Sequence, residues 1–219
     1  MPAAAVTEPR PPQPASRLFG FDRGTPIDRH YIDAFLEANA DAVHGRVLEF
    51  GDAAYTRKFG QGRVVHSDVL HATPGNPKAT IVGDLATGRG VPDAAFDCII
   101  LTQVLPFVFD VAGAVASCHR ALAPDGVVLA TVPGISQISR YDMDRWGDFW
   151  RFTTLSIRRL FEEPFGPGNV AVQSHGNVRA ATAFLQGLAL EEIPADDLAL
   201  DDPDYQLIIT VRARKGSSV

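Results

Sequence analysis

The chain has 219 residues, 46% of them hydrophobic, and a formal net charge of −6. A chain of this length can bury one sizeable core, so a single domain is expected. The acidic balance argues against a general affinity for nucleic acid or for an anionic membrane surface. Cys98 and Cys118 have no metal-ligand spacing, and we expect both to be reduced, buried thiols.

The start of the chain is rich in proline and poor in residues that could be buried. Residues 1–16 hold five of the sixteen prolines, which predicts a disordered or draped arm. No apolar run reaches the ~18 residues that span a bilayer, and the start lacks a signal peptide's basic region and apolar core. These features predict a cytoplasmic protein with a flexible arm over residues 1–24 and a single domain over residues 25–215.

Helical and strand patterns alternate along the rest of the chain. Apolar residues on one face predict a first helix over residues 27–43. Five apolar runs predict strands at Arg46–Phe50, Arg63–His66, Ala79–Val82, Phe96–Thr102 and Val127–Val132. The pattern further predicts a helix at Val111–Ala123, a helix near Thr153–Glu163, a strand near Asn169–Ser174, a helix near Arg179–Leu188 and a last strand at Tyr205–Ala213. This alternation predicts an α/β fold with a Rossmann-like, doubly wound and mostly parallel sheet.

The stretch from Arg46 to Thr56 is the most informative part of the sequence about a ligand site. Its apolar run reaches an acid, Glu49, and continues into a turn that contains Gly51, while the next apolar run closes at Asp68. In an open parallel sheet, ligands bind beyond the carboxyl ends of the strands, where a glycine lets the backbone come close to them. A carboxylate at such a strand end can accept hydrogen bonds from both hydroxyls of a ribose.

Taken together, these motifs resemble the class I S-adenosylmethionine-dependent methyltransferases over roughly residues 27–213. Phe96-Asp97 before the fourth strand and Leu122-Ala-Pro-Asp-Gly126-Val-Val-Leu after the next helix support the resemblance. So does the closing strand, which in that fold inserts antiparallel beside the fifth. The family's acid-x-Gly-x-Gly-x-Gly loop is changed here, because Ala53 and Tyr55 replace its second and third glycines.

The resemblance implies S-adenosylmethionine as the cofactor and suggests which residues hold it. At the methionine portion of the cofactor, Glu49 would lie near the amino group or contact it from beneath through a water molecule, Gly51 would form the loop and Tyr55 would cover the ligand. Asp68 would bind the ribose, and Asp84 and Leu85 would contact the adenine. Gln103 would lie beside the reactive methyl group. Four of these residues have a structural alternative: Glu49 as a solvated strand end, Tyr55 as a filler of the missing glycine's space, Asp84 as a helix N-cap and Gln103 as a core-edge amide.

Residues 135–153 form the most unusual stretch of the chain, because they hold three Asp, three Arg and both tryptophans. Such a loop after the fifth strand suits a polar organic substrate, although it could also be an ion-paired structural lid. Its end, Asp148-Phe-Trp-Arg151-Phe-Thr153, resembles methyltransferases of sugar and natural-product pathways. The chain is expected to re-enter the core near Trp150. The candidate catalytic residues are Tyr141, Asp142 and Asp144, and the candidate substrate-binding residues are His30, Tyr31, Arg140 and Trp146.

The leading hypothesis is a methyltransferase acting on a small polar molecule, such as a sugar or natural-product intermediate. One alternative is an enzyme of the same fold that no longer transfers methyl groups and runs a cyclisation or elimination with Asp142 or Asp144 as base. Another is a non-catalytic partner subunit. No metal is expected, since His66 and His71 beside Asp68 lack further ligands. A homodimer or a pathway partner is the expected protein contact.

Overall fold

The computed structural model describes residues 12–217, which form one seven-stranded sheet with helices on both faces. The strands are β1 (Gly45–Phe50), β2 (Val64–His71), β3 (Ile81–Val82), β4 (Phe96–Thr102), β5 (Leu122–Pro133), β6 (Val170–His175) and β7 (Ile208–Arg214). The helices are α1 (Ile27–Ala38), α2 (Ala54–Gly60), α3 (Val111–Ala121), α4 (Arg140–Met143), α5 (Thr154–Phe165) and α6 (Val178–Leu185). No helix in this part of the chain is long and apolar enough to cross a membrane.

The strand order is β3-β2-β1-β4-β5-β7-β6, with β7 antiparallel to both of its neighbours and the other pairs parallel. This confirms the predicted α/β class and the antiparallel insertion of the last strand beside the fifth. The order reverses between β1 and β4, so the crevice of a doubly wound sheet opens at their carboxyl ends.

Two apolar clusters cover the two faces of the sheet. One packs α3 and α5 against residues such as Leu48, Ile99 and Val128. The other packs α1, α2 and α6 against residues such as Val47, Cys98 and Leu129. Because both faces of β4 and β5 are covered, the sequences of these strands are continuous apolar runs rather than alternating apolar and polar residues.

Several element bounds differ from the sequence prediction. Strand β2 continues to His71, so Asp68 lies inside the strand opposite Leu48 instead of closing it. Strand β5 already begins at Leu122, although the sequence predicted it over Val127–Val132. The first helix ends at Ala38, where Asn39 donates from Nδ2 to the carbonyl of Phe35 and the chain tightens into a short 3₁₀ turn.

Residues 12–24 lie against the domain rather than away from it, although the sequence predicted a flexible arm up to residue 24. Ala15 donates its backbone N–H to the carbonyl of Gln186 at 2.8 Å, and Phe19 packs on Phe184 with ring centroids 5.9 Å apart. Arg23 forms an ion pair with Glu192. The remainder of the predicted arm, residues 1–11, lies outside the described residues.

Candidate functional site

A cavity of about 260 Å³ opens at the carboxyl ends of β4 and β5. Its wall is formed by the segment before α1, the first turn of α1, the ends of the two strands, the segment after β4 and the loop after β5, with Phe184 of α6 and Ile208 of β7. Its polar lining consists of Asp28, Arg29, Thr102, Gln103, Ser136, Gln137, Ser139, Asp142, Asp148 and Arg151. Its position at the carboxyl edge of the sheet is where a ligand site is expected in this type of fold.

Gln103 lies directly beyond β4 and lines the cavity. Its backbone is in the left-handed region at φ 54°, where a residue other than glycine is uncommon. Two hydrogen bonds to Thr131 hold it there, from the backbone N–H to the carbonyl at 2.9 Å and from Nε2 to Oγ1 at 3.3 Å. Strained residues of this kind cluster at functional sites. Among the predicted cofactor residues, Gln103 is the one that lines this cavity.

The glycine turn predicted from the sequence is present beyond β1. Gly51 has φ 79°, and a Cβ added to it would meet no atom within 4 Å. The β2–β3 loop borders the turn, with Asn76 Nδ2 donating to the Gly51 carbonyl at 2.7 Å and Lys78 paired with Asp52 at 3.1 Å. The first glycine therefore keeps both its left-handed turn and open space beside it, despite the loss of the other two glycines.

Glu49 is buried, and its carboxylate caps the first turn of α2. It accepts from the backbone N–H groups of Tyr55 at 3.0 Å and Thr56 at 2.7 Å, and from Thr56 Oγ1 at 2.7 Å. The residue preceding the helix, Ala53, has no side-chain acceptor, so Glu49 supplies the missing cap. Burial raises the pKa of the Glu49 carboxyl, and these donors oppose that rise. Glu49 is thus not a solvated strand end.

Tyr55 connects α2 to α1. Its hydroxyl accepts from Arg29 Nη1 at 2.9 Å, and its ring stacks on Phe59 with centroids 6.2 Å apart. Tyr55 is not part of the cavity wall. The side chain that replaces the third glycine therefore fixes the position of the first turn of α1, which does line the cavity.

Asp68 is 3% exposed and fully engaged within the sheet. It accepts from Arg46 Nε at 2.8 Å and Thr80 Oγ1 at 2.7 Å, and His66 Nε2 lies 3.4 Å away. Burial raises the pKa of the Asp68 carboxyl, but these partners together lower it below its ordinary value. The prediction that Asp68 stands at the strand end was wrong, because β2 runs on to His71.

Asp84 and Leu85 follow β3, as the sequence predicted. The Asp84 carboxylate accepts from the backbone N–H of Ala86 at 2.9 Å and from Thr87 Oγ1 at 2.8 Å. No helix follows it, so the alternative that Asp84 is a helix N-cap was wrong, and its side chain instead closes a turn. Leu85 is buried in the core cluster beneath this turn.

The loop after β5 places one of the three predicted catalytic residues at the cavity. Asp142 lines it and accepts from Ser139 Oγ at 2.5 Å. Tyr141 is 64% exposed beneath Arg145, and Asp144 is exposed beside Arg140, 3.8 Å away. Of that set, Asp142 alone lines the cavity.

Two predicted substrate-binding residues of this loop also lie away from the cavity wall. Arg140 is exposed and contacts Met143 and Asp144. Trp146 packs edge-on against His71 at the end of β2, with centroids 5.7 Å apart. Trp146 therefore borders the β2 side of the crevice, whereas Arg140 faces solvent.

The end of the loop is fastened by an ion pair. Arg151 donates from Nη1 and Nη2 to the two carboxylate oxygens of Asp148 at 2.6 and 3.0 Å, and the same carboxylate accepts from the Ser139 N–H at 2.8 Å. Trp150 is 38% exposed, so the expectation of a buried Trp150 was wrong. The chain re-enters the core two residues later, at Phe152.

The turn of α1 that meets the cavity differs from the predicted one. Tyr31 is buried against His175, with stacked rings 5.9 Å apart, in a groove beside β6 and β7. His30 packs edge-on against Tyr31. The residues at the cavity are Asp28 and Arg29, in the first turn of the helix. The signal that could have revealed them is an acid and a base at the second and third positions after Pro26, at a helix start.

Asp28 is a buried acid with an unsatisfied oxygen. The residue is 8% exposed, and within residues 12–217 its buried Oδ1 has no hydrogen-bond partner. Arg29 Nε is 3.9 Å from that oxygen, which is beyond hydrogen-bond distance. Burial raises the pKa of the Asp28 carboxyl, while Arg29 opposes the rise.

The described residues hold no group of three or more His, Cys, Asp or Glu side chains that could bind a metal ion. His66 and His71, considered from the sequence, instead contact Asp68 and Trp146. The polar side chains that line the cavity are carboxylates, guanidinium groups, amides and hydroxyls.

Comparisons with known proteins agree with this architecture. The family model described as a methyltransferase domain matches residues 53–130. No curated protein sequence matches the chain. Solved structures of similar fold include an S-adenosylmethionine-dependent methyltransferase from Archaeoglobus fulgidus, with 10% identity, a TM-score of 0.55 and coverage of 85% of this chain and 94% of that chain.

Two further structures carry ligands or partners in their descriptions. The N-methyltransferase NodS of Bradyrhizobium japonicum, in complex with S-adenosylhomocysteine, shares 14% identity at a TM-score of 0.54, with coverage of 88% and 89%. A Haloferax volcanii protein described as a methyltransferase, in complex with the Trm112 activator, shares 15% identity at a TM-score of 0.55, with coverage of 88% and 94%. The chain has the class I methyltransferase fold, which confirms the resemblance seen in the sequence.

Proposed function

We propose that this protein is an S-adenosylmethionine-dependent methyltransferase acting on a small polar molecule. The observation that carries the proposal is the cavity at the carboxyl ends of β4 and β5, which the strained Gln103 and Asp142 both line. The methyltransferase-domain match and the fold support it. A volume of about 260 Å³ suits a small acceptor rather than a macromolecular segment.

The glycine turn and the strand ends fit the methionine side of such a cofactor. Gly51 offers a backbone that nothing covers, and Gln103 offers a donor and an acceptor beyond β4. These two residues would hold the cofactor, together with Leu85 under the turn after β3. The cofactor would supply an electrophilic methyl group, and the protein would position the acceptor against it. Asp68 does not fit a ribose contact here, because Arg46 and Thr80 occupy its carboxylate.

The finer parts of the proposal come from the sequence. The stretch Asp148–Thr153, which resembles sugar and natural-product methyltransferases, supports an acceptor of that kind. A cytoplasmic location and a homodimer or partner subunit remain predictions, and light scattering on the purified protein would measure the oligomeric state. The alternative of a cyclisation or elimination has no specific observation in its favour.

Binding of S-adenosylhomocysteine, measured by calorimetry, tests the proposal. We expect wild-type protein to bind it, and Gly51→Leu to abolish binding, because the new side chain fills the open space beside the turn. Gly62→Leu is the matched control, since Gly62 has φ 81°, open space around it and a place at the far end of α2. It carries the same backbone strain and should bind normally. No binding by the wild type at millimolar ligand would contradict the proposal.

A further inference from the structure

The carboxylate of Asp28 is the least satisfied charged group at the cavity. A buried acceptor without a hydrogen-bond donor costs about 1–3 kcal/mol, and more when it is charged. Among the described residues the Oδ1 atom has no such donor, and its nearest cation, Arg29 Nε, is 3.9 Å away. The fold therefore maintains an unfavourable group at the wall of its cavity.

The other charges around the cavity already have partners. Arg151 is bound to Asp148 through two hydrogen bonds and also donates to backbone carbonyls. Arg29 donates from Nη1 to the Tyr55 hydroxyl. Asp142 accepts from Ser139. Three carboxylates and two guanidinium groups line the cavity, so its charge with all of them ionised is −1.

We propose that Asp28 binds the amino group of the substrate, and that the methyl acceptor is an amine that enters the cavity as a cation. This inference rests on the proposed methyltransferase function for the acceptor role, but not for the binding itself. An ammonium group in the cavity, which Asp28 lines, brings both the opposite charge and N–H donors to this carboxylate. A hydroxyl group would bring a donor without the charge.

The same carboxylate suits the chemistry that an amine acceptor needs. A protonated nitrogen has no free electron pair, so it must lose a proton before it can attack a methyl group. The N–H bond breaks, the proton moves to the Asp28 carboxylate, and the nitrogen keeps the electron pair. The raised pKa of the Asp28 carboxyl agrees with this role, because it brings the carboxylate closer to the basicity that proton acceptance requires.

Matched pairs of small probes test the inference: ethanolamine against ethylene glycol, and glucosamine against glucose. Binding is followed by the ¹³C shift of aspartate carboxyls in the wild type and by saturation-transfer NMR in the variants. We expect both amines to bind more tightly than their hydroxyl counterparts and to shift the Asp28 signal. Asp28→Asn should weaken amine binding about tenfold or more, which corresponds to ~1.4 kcal/mol.

Asp33→Asn is the matched control, since Asp33 is on the same helix but is paired with Lys58 at 2.7 Å and does not line the cavity. It should leave amine binding unchanged. Equal binding of amines and hydroxyl compounds, no amine binding at all, or full amine binding by Asp28→Asn would each overturn the inference. If Asp28→Asn does not fold, the test rests on the wild type alone: the amines must shift the Asp28 carboxyl signal for the inference to stand.

The S-adenosylhomocysteine titration separates the two proposals. Asp28-dependent amine binding without S-adenosylhomocysteine binding would leave the amine site standing and remove the methyltransferase function. S-adenosylhomocysteine binding without amine selectivity would support the methyltransferase function and remove the amine site.

Discussion

At the scale of single residues, two neighbouring aromatic side chains show how differently the loop after β5 uses its apolar groups. Trp150 is 38% exposed and donates from Nε1 to the carbonyl of Phe109 at 3.2 Å. Phe152 is 6% exposed, belongs to the core cluster, and donates its backbone N–H to Pro133 at 2.9 Å. The anchor of the loop is therefore Phe152.

Phe152→Ala is expected to lower the free energy of unfolding by about 3–5 kcal/mol, because truncating a buried phenylalanine leaves a cavity in a packed core. Trp150→Ala should cost much less, since its ring is partly in water already. Urea denaturation of both variants measures the difference. A larger loss for Trp150→Ala would mean that the loop is held by its surface aromatic cluster instead.

At the scale of elements, the Asp68 carboxylate joins three strands of the sheet. It binds Arg46 of β1, while Thr80, just before β3, donates to it and accepts from the Val69 N–H at 3.0 Å. A short β3 of two residues gains a side-chain link to β2 in this way. We interpret Asp68 as a residue that fixes the edge of the sheet beside the glycine turn.

Asp68→Asn is expected to cost about 1–2 kcal/mol of stability at neutral pH, an amount discounted because Arg46 is partly exposed. Since the folded-state pKa of Asp68 is lowered, its contribution is present above the ordinary value of 3.8 and is lost as the pH falls through the folded-state pKa. The cost of the substitution should therefore fade in acid. Urea denaturation at several pH values measures it.

S-adenosylhomocysteine affinity of folded Asp68→Asn should equal that of the wild type, because the carboxylate is occupied inside β2. Calorimetry provides this second measurement. A loss of about 1.5–3 kcal/mol in binding free energy, the range for hydrogen bonds to a charged group, would show that Asp68 contacts the ribose after all.

At the scale of the whole molecule, the segment before α1 completes both the core and the cavity. Phe19 covers Phe184 of α6, and Phe19 and Phe21 line the cavity. Thr25 is bound to Glu191 through its N–H at 2.9 Å and its hydroxyl at 2.7 Å. The domain therefore uses residues that the sequence suggested were an arm.

Removal of residues 1–24 is expected to lower the melting temperature by about 3–12 °C. Exposing one phenylalanine contact costs ~1.5–3 kcal/mol, and each kcal/mol corresponds to about 2–4 °C for a chain of this size. Phe19→Ala should reproduce most of the loss, whereas Leu18→Ala, at an exposed neighbour, should not. Calorimetric melting curves measure all three, and an unchanged melting temperature of the truncated chain would contradict this view.

The sequence by itself determined the layer architecture of this protein. Continuous apolar runs, a glycine after the first strand and the order of the elements follow local rules, so the sheet and its open carboxyl edge could be predicted. The turn at Gly51 needs φ above zero, and a glycine at this position indicates such a turn. Gln103 directly follows β4 and Asp142 lies in the loop after β5, and both line the cavity.

Only the tertiary structure decided which polar side chains face that cavity. Asp68 was misplaced because strand length depends on pairing with β1 and β3, not on where a charged residue interrupts an apolar run. Asp28 and Tyr31 lie three residues apart on the same side of α1, and the neighbours of each turn decide that Asp28 meets the cavity and Tyr31 the groove beside β6 and β7. Helical periodicity identifies a buried face, but a partner that comes from a distant part of the chain determines whether that face meets the core or a ligand.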